Sequence, residues 1–124
     1  NIIDIFLPDK ALKKQIMSIV TDSTPLEAPK NPEGDTVYSL YSLLAEREQV
    51  AEMKANYLGG NYGYGHAKQA LYECIIDRFG TAREQFAYYM AHREEVEDAL
   101  QTGARKANMI ADQVLQRVRD KLGY

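Results

Sequence analysis

The chain has 124 residues, 45% of them apolar and 27% charged, enough for a domain with a buried core and too balanced for long disorder. Its formal charge is -3 and its isoelectric point about 5.4, so it lacks the broad basic surface on which nonspecific nucleic-acid binding runs. A single cysteine, Cys74, excludes an internal disulfide, and no apolar run approaches the roughly 20 residues of a membrane helix.

A reducing, cytoplasmic setting with no membrane association is therefore expected. The chain opens Asn1-Ile2-Ile3-Asp4, without an initiator methionine or a signal-like segment, which suggests a piece of a longer protein. After a short apolar opening from Ile2 to Leu7, Pro8 suits the first turn of a helix. Ala11, Leu12, Ile16 and Ile19 are then spaced for one helical face, with Lys10, Lys13 and Lys14 on the other. Residues 21–34 hold Pro25, Pro29, Pro32 and Gly34 and read as an extended connector. A boundary is expected there, with residues 1–34 a connecting segment and 35–124 a helical domain. Cut from its neighbour, the 1–34 segment is expected to be partly disordered or packed against another copy.

Asp35 can cap a helix whose inner face is Val37, Leu40, Tyr41 and Leu44. A weak break at Ala45-Glu46 precedes a short helix with Val50, Met53 and Tyr57 inward, ended by Gly59-Gly60. Beyond the glycine-rich turn 61–65, the positions from Ala67 to Met90 repeat every three or four residues through Cys74, Ile75 and Phe79. One long helix is expected, with a break at Gly80-Thr81 as the alternative. His92 can start the last helix, whose stripe is Val96, Leu100, Gly103, Ala107, Ile110, Val114 and Val118. Gly103 on that stripe suits close helix packing, or a kink. Glu94, Glu95, Glu97 and Asp98 crowd the first turns and Arg117, Arg119 and Lys121 the last, as the helix dipole favours. The fold class expected is all-α, a compact bundle of two long and several short helices.

Catalytic chemistry is hard to assemble from this inventory. One cysteine and two distant histidines, His66 and His92, make neither a metal site nor a nucleophile with its base. Cys74 lies on an apolar stripe and reads as a core residue, and His66 as a cap or surface residue. The turn Gly63-Tyr64-Gly65-His66-Ala67-Lys68 is open to two readings. Its glycines, the following helix N-terminus and Lys68 could approach a phosphate, with Tyr62 and Tyr64 as stacking faces. It could equally be a tight turn with its tyrosines packed on the bundle. Asp35 is similar: a helix cap, or an acceptor for a cytosine amino group.

The ordered set Thr21-Asp22-Ser23, a Pro-rich connector, Asp35, Tyr38/Tyr41, Tyr57-x-Gly59-Gly60 and Gly63-Tyr64-Gly65-x-x-Lys68 resembles the C-terminal part of the bacterial tryptophanyl-tRNA synthetases. So does an acidic stretch followed by Gly103-Ala104-Arg105-Lys106-Ala107. The resemblance implies the anticodon-binding domain of a class I aminoacyl-tRNA synthetase. The parent enzyme of such a domain activates tryptophan with ATP and charges its tRNA, usually as a homodimer. Neither the HIGH nor the KMSKS signature occurs here, so no catalytic residue, cofactor or metal is implied in this chain. The resemblance places Asp35, Tyr64 and Lys68 near the anticodon and Asp22 in an interdomain hinge. The rival expectation is a helical protein-interaction module with no RNA role.

Overall fold

The computed structural model describes residues 3–123. Asn1, Ile2 and Tyr124, and with them the first steps of the apolar opening, lie outside the described residues. Five helices follow in order: α1 Asp9–Met17, α2 Thr36–Leu44, α3 Arg47–Gly59, α4 Tyr64–Ala91 and α5 Arg93–Leu122. No strand occurs among the described residues.

The chain divides into two compact units, the first ending at Glu84 and the second starting at Gln85. The core of the first unit comes from four helices at a spacing of four residues: Leu12 and Ile16, Val37 and Tyr41, Met53 and Tyr57, then Ala67, Leu71 and Ile75. That spacing stacks side chains on one face, so each helix enters the core along a single stripe. Burying a large apolar side chain in full contributes about 1.5–3 kcal/mol, and Leu12, Ile16, Val37, Leu71 and Ile75 are buried in this way. Cys74 is half-buried against the same core.

Local chemistry sets the helix ends. The Asp35 carboxylate accepts the Tyr38 amide at 2.8 Å and caps α2. Glu46 and Gln49 form a reciprocal capping box that separates α3 from α2, with the Glu46 amide donating to Gln49 Oε1 at 3.0 Å. The α4 helix runs unbroken through Gly80, as the uninterrupted phase predicts.

The segment before Asp35 departs from expectation. Leu12 and Ile16 are at the centre of the core, and Ile3, Ile5, Leu7 and Ile19 pack against it, so this chain's own helices cover the segment. Arg83 of α4 also holds it, donating to the Ile5 carbonyl and pairing with Asp9 at 2.5 Å.

The second unit contains the end of α4 and all of α5. At their junction the His92 ring stacks on Tyr88 with centroids 4.1 Å apart, and the Tyr88 hydroxyl donates to Glu95 at 2.7 Å. No residue of α5 is buried, and a Cβ added to Gly103 would meet nothing within 4 Å. The close packing that Gly103 suggested is therefore not made within this chain.

Candidate functional site

The first unit gathers the sequence-singled residues around one aromatic cluster. Tyr57 of α3 is fully buried, with Tyr38, Tyr62 and Tyr64 around it at centroid distances of 5.8, 6.0 and 6.2 Å. Its hydroxyl donates to Asp35 Oδ2 at 2.7 Å. Burial first, and then that bond to a carboxylate, push the Tyr57 pKa far above the ordinary tyrosine value. Asp35 Oδ2 thus receives two donors, the Tyr38 amide and the Tyr57 hydroxyl, while Oδ1 has no hydrogen-bond partner among the described residues.

Tyr64 opens α4 and reaches back to the connector. Its hydroxyl donates to Asp22 Oδ1 at 2.5 Å. Burial and this bond push its pKa up to about 12, and the same bond leads the causes that hold the Asp22 carboxyl below its ordinary range. Lys68, one turn further along α4, sends its ammonium to the carbonyls of Met17 at 3.0 Å and Ile19 at 2.6 Å. Met17 ends α1, where a helix leaves carbonyls without partners and favours a positive charge, and Ile19 follows just beyond the cap. Asp35 and Tyr64 thus both meet Tyr57, while Lys68, one turn beyond Tyr64 on α4, bonds to carbonyls near the end of α1; each of the three is half-buried and already bonded within the chain.

The glycines of the turn serve the same packing. A Cβ at Gly60, whose φ is +76°, would stand 2.7 Å from the Glu27 carbonyl oxygen, and one at Gly63 would stand 2.8 Å from the Leu26 side chain. The partner these glycines admit is the chain's own connector. His66 turns its Nδ1 to the Gly63 amide at 3.3 Å, a capping role, and packs on the Tyr62 ring at 5.7 Å.

Lys30 is the residue that sequence reasoning passed over. It is 2% exposed, and its ammonium donates to the carbonyls of Pro25, Leu26 and Ala28 at 3.1–3.3 Å while lying 5.3 Å from the Tyr64 ring centre. Its own amide donates to the Tyr57 carbonyl at 2.6 Å. The one available signal was compositional. Pro25, Pro29 and Pro32 remove backbone donors and keep their carbonyls, so a lone lysine among them has acceptors to satisfy.

No group of three or more metal-ligating side chains occurs among the described residues, and burial raises the Cys74 thiol pKa, which keeps it protonated.

The chain is similar along nearly its whole length to known proteins of one kind. The chain is 42% identical over 123 residues to the tryptophan–tRNA ligase of Fusobacterium nucleatum, covering 99% of this chain and 38% of that protein. It is 39% identical to the ligase of Campylobacter jejuni, again over 99% of this chain and 39% of the relative. Nearly the whole of this chain thus matches part of a tryptophan–tRNA ligase. Two solved structures of the tryptophanyl-tRNA synthetase from Campylobacter jejuni superpose on the whole of this chain with TM-scores of 0.85 and 0.86 at 39% identity, the second a complex with ADP and tryptophan. The chain spans roughly two fifths of the length of each of these tryptophan–tRNA ligases. No family model matches it. The all-helical architecture expected from periodicity is the one these relatives share over the matched segment. No described helix is long and apolar enough to cross a membrane.

Proposed function

We propose that this chain is the C-terminal, anticodon-contacting region of a cytoplasmic tryptophan–tRNA ligase. The parent activates tryptophan with ATP and transfers it to its tRNA, as a homodimer. The observation that carries the reading is the match along 99% of the chain to ligases of that name, together with the whole-chain superposition on a synthetase structure. Residues 1–34 connect to the catalytic portion and 35–124 form the helical domain, with Asp22 at the hinge. Asp35 uses its unbonded Oδ1 to accept from a base amino group. Tyr64 supplies a ring edge nearby, and Lys68 draws a backbone phosphate with its positive charge and the N–H not given to the two carbonyls.

The test is a low-salt titration of the chain with tryptophan tRNA and with the same tRNA carrying a changed anticodon. Binding that favours the native anticodon, and loses that preference in Asp35→Asn, is expected. Equal binding of both RNAs by the parent chain would overturn the anticodon assignment. Asp35→Asn is the informative change because asparagine still caps a helix and still accepts from Tyr57.

A further inference from the structure

Asp35 supplies the base-reading oxygen of the proposed function, and what aims that oxygen lies on a different helix. At an N-cap an aspartate is held by a local bond, here from the Tyr38 amide to Oδ2 at 2.8 Å. That bond alone leaves the carboxyl plane soft, because the last torsion of an aspartate is a broad, roughly two-fold rotor. Turning the plane about the bonded oxygen re-aims the lone pairs of the other. The Tyr57 hydroxyl removes this freedom. It donates to the same Oδ2 at 2.7 Å from α3, 22 residues further along the chain. Donors from two helices thus converge on one oxygen, and Oδ1 is the oxygen left to accept from a ligand.

The second donor is itself fixed. Tyr57 is fully buried, with the rings of Tyr38, Tyr62 and Tyr64 around it at centroid distances of 5.8, 6.0 and 6.2 Å. Its backbone carbonyl accepts the Lys30 amide at 2.6 Å, so main chain and ring are both held. Asp35 is only half-buried. A rigid post in the core therefore grips one oxygen of a side chain that reaches the surface.

We propose that Tyr57 is a positioning residue for anticodon discrimination, acting through Asp35: its hydroxyl sets the direction in which Oδ1 accepts from a base amino group. The inference rests on the reading of Asp35 as a base-contacting residue. Buried as it is, Tyr57 touches no RNA. Contacts to base edges carry sequence information and phosphate contacts do not, so losing the hydroxyl relaxes the choice of base and leaves sequence-independent affinity in place.

The test is a titration of the chain with tryptophan tRNA and with a set of the same tRNA, each member carrying one changed anticodon base. The parent, Asp35→Asn and Tyr57→Phe are compared at a temperature where circular dichroism shows all of them equally folded. Asp35→Asn identifies the anticodon position that Asp35 reads. Tyr57→Phe is expected to lower discrimination at that position by about fivefold, the lower end of what one well-made base contact contributes, and at no other position. Its affinity for the tRNA changed at that position should match the parent's. A merely structural role would loosen the whole domain and move every position together. Discrimination kept intact in Tyr57→Phe while Asp35→Asn loses it would overturn this inference and leave the Asp35 reading standing. Equal relaxation at every position, or relaxation at a position other than the one Asp35 reads, would overturn it as well. An Asp35→Asn chain that discriminates as the parent does would remove the Asp35 reading, and this inference with it.

Discussion

The Tyr57 hydroxyl and the Asp35 carboxylate, 22 residues apart in sequence, meet at 2.7 Å and join the start of α2 to the buried face of α3. The same carboxylate oxygen caps α2, so one atom serves a local and a long-range bond. Tyr57→Phe keeps the ring in the core and removes only the long-range bond. It should lower stability by about 1–2 kcal/mol in urea denaturation, the usual worth of a hydrogen bond to a charged acceptor at a half-buried site. Asp35→Ala loses both bonds and leaves the buried hydroxyl unpaired, so it should cost more than Tyr57→Phe in the same measurement.

Stability should fall at both ends of the pH scale for a shared reason. Tyr57 and Tyr64 are harder to ionise folded than unfolded. Their contribution is therefore complete below the ordinary tyrosine pKa of about 10. It is lost as pH climbs toward the folded values, about 12 for Tyr64. Asp22 runs the other way. Its carboxyl is held below 3.8, chiefly by the Tyr64 hydroxyl, so its contribution is present above that value and is lost as pH falls through the depressed one. Urea midpoints measured across pH should show that Tyr64→Phe flattens both limbs. A variant profile parallel to the parent's would remove the Tyr64–Asp22 pair as a source of pH dependence.

Lys30→Met should destabilise the chain by about 2–4 kcal/mol. It removes the charged donor that the carbonyls of Pro25, Leu26 and Ala28 share, from a side chain that is itself 2% exposed. The apolar stem fits the methionine, so the loss reports the ammonium and not the packing. Thermal unfolding monitored by circular dichroism is sufficient to read it.

Lys68→Met should cost about 1–3 kcal/mol, because the ammonium is what completes the C-terminus of α1. Any RNA-binding defect of this variant has to be compared at a temperature where parent and variant are equally folded. If Lys68→Met is as stable as the parent, the two carbonyl bonds contribute nothing in solution.

Two glycines should respond in opposite senses to alanine. At Gly60 the backbone has φ +76° and a Cβ would meet the Glu27 oxygen at 2.7 Å, so Gly60→Ala should destabilise by at least about 1–2 kcal/mol. At Gly80, inside α4 with nothing within 4 Å of the added carbon, Gly80→Ala should stabilise by up to about 1 kcal/mol. Paired urea titrations decide both.

The sequence alone was sufficient for what is written in neighbouring residues. The helical phases of α1 to α5, the Asp35 cap, the break at Glu46, the stop at Gly59-Gly60 and the core stripes at intervals of four all depend on contacts within a turn or two. The ordered pattern of residues was also enough to indicate which proteins the chain resembles. Only the tertiary structure decided where the polar side chains go. Lys68 reaches carbonyls 49 and 51 residues away, and Tyr64 reaches an aspartate 42 residues away, so neither destination leaves a local trace. Lys30, which no local pattern singles out in the proline-rich connector, is buried with the carbonyls of Pro25, Leu26 and Ala28 around its ammonium. The α5 stripe is the converse case. Its periodicity is as regular as that of the buried helices, but periodicity states only that a face is apolar, and what covers the face is decided by the elements within reach.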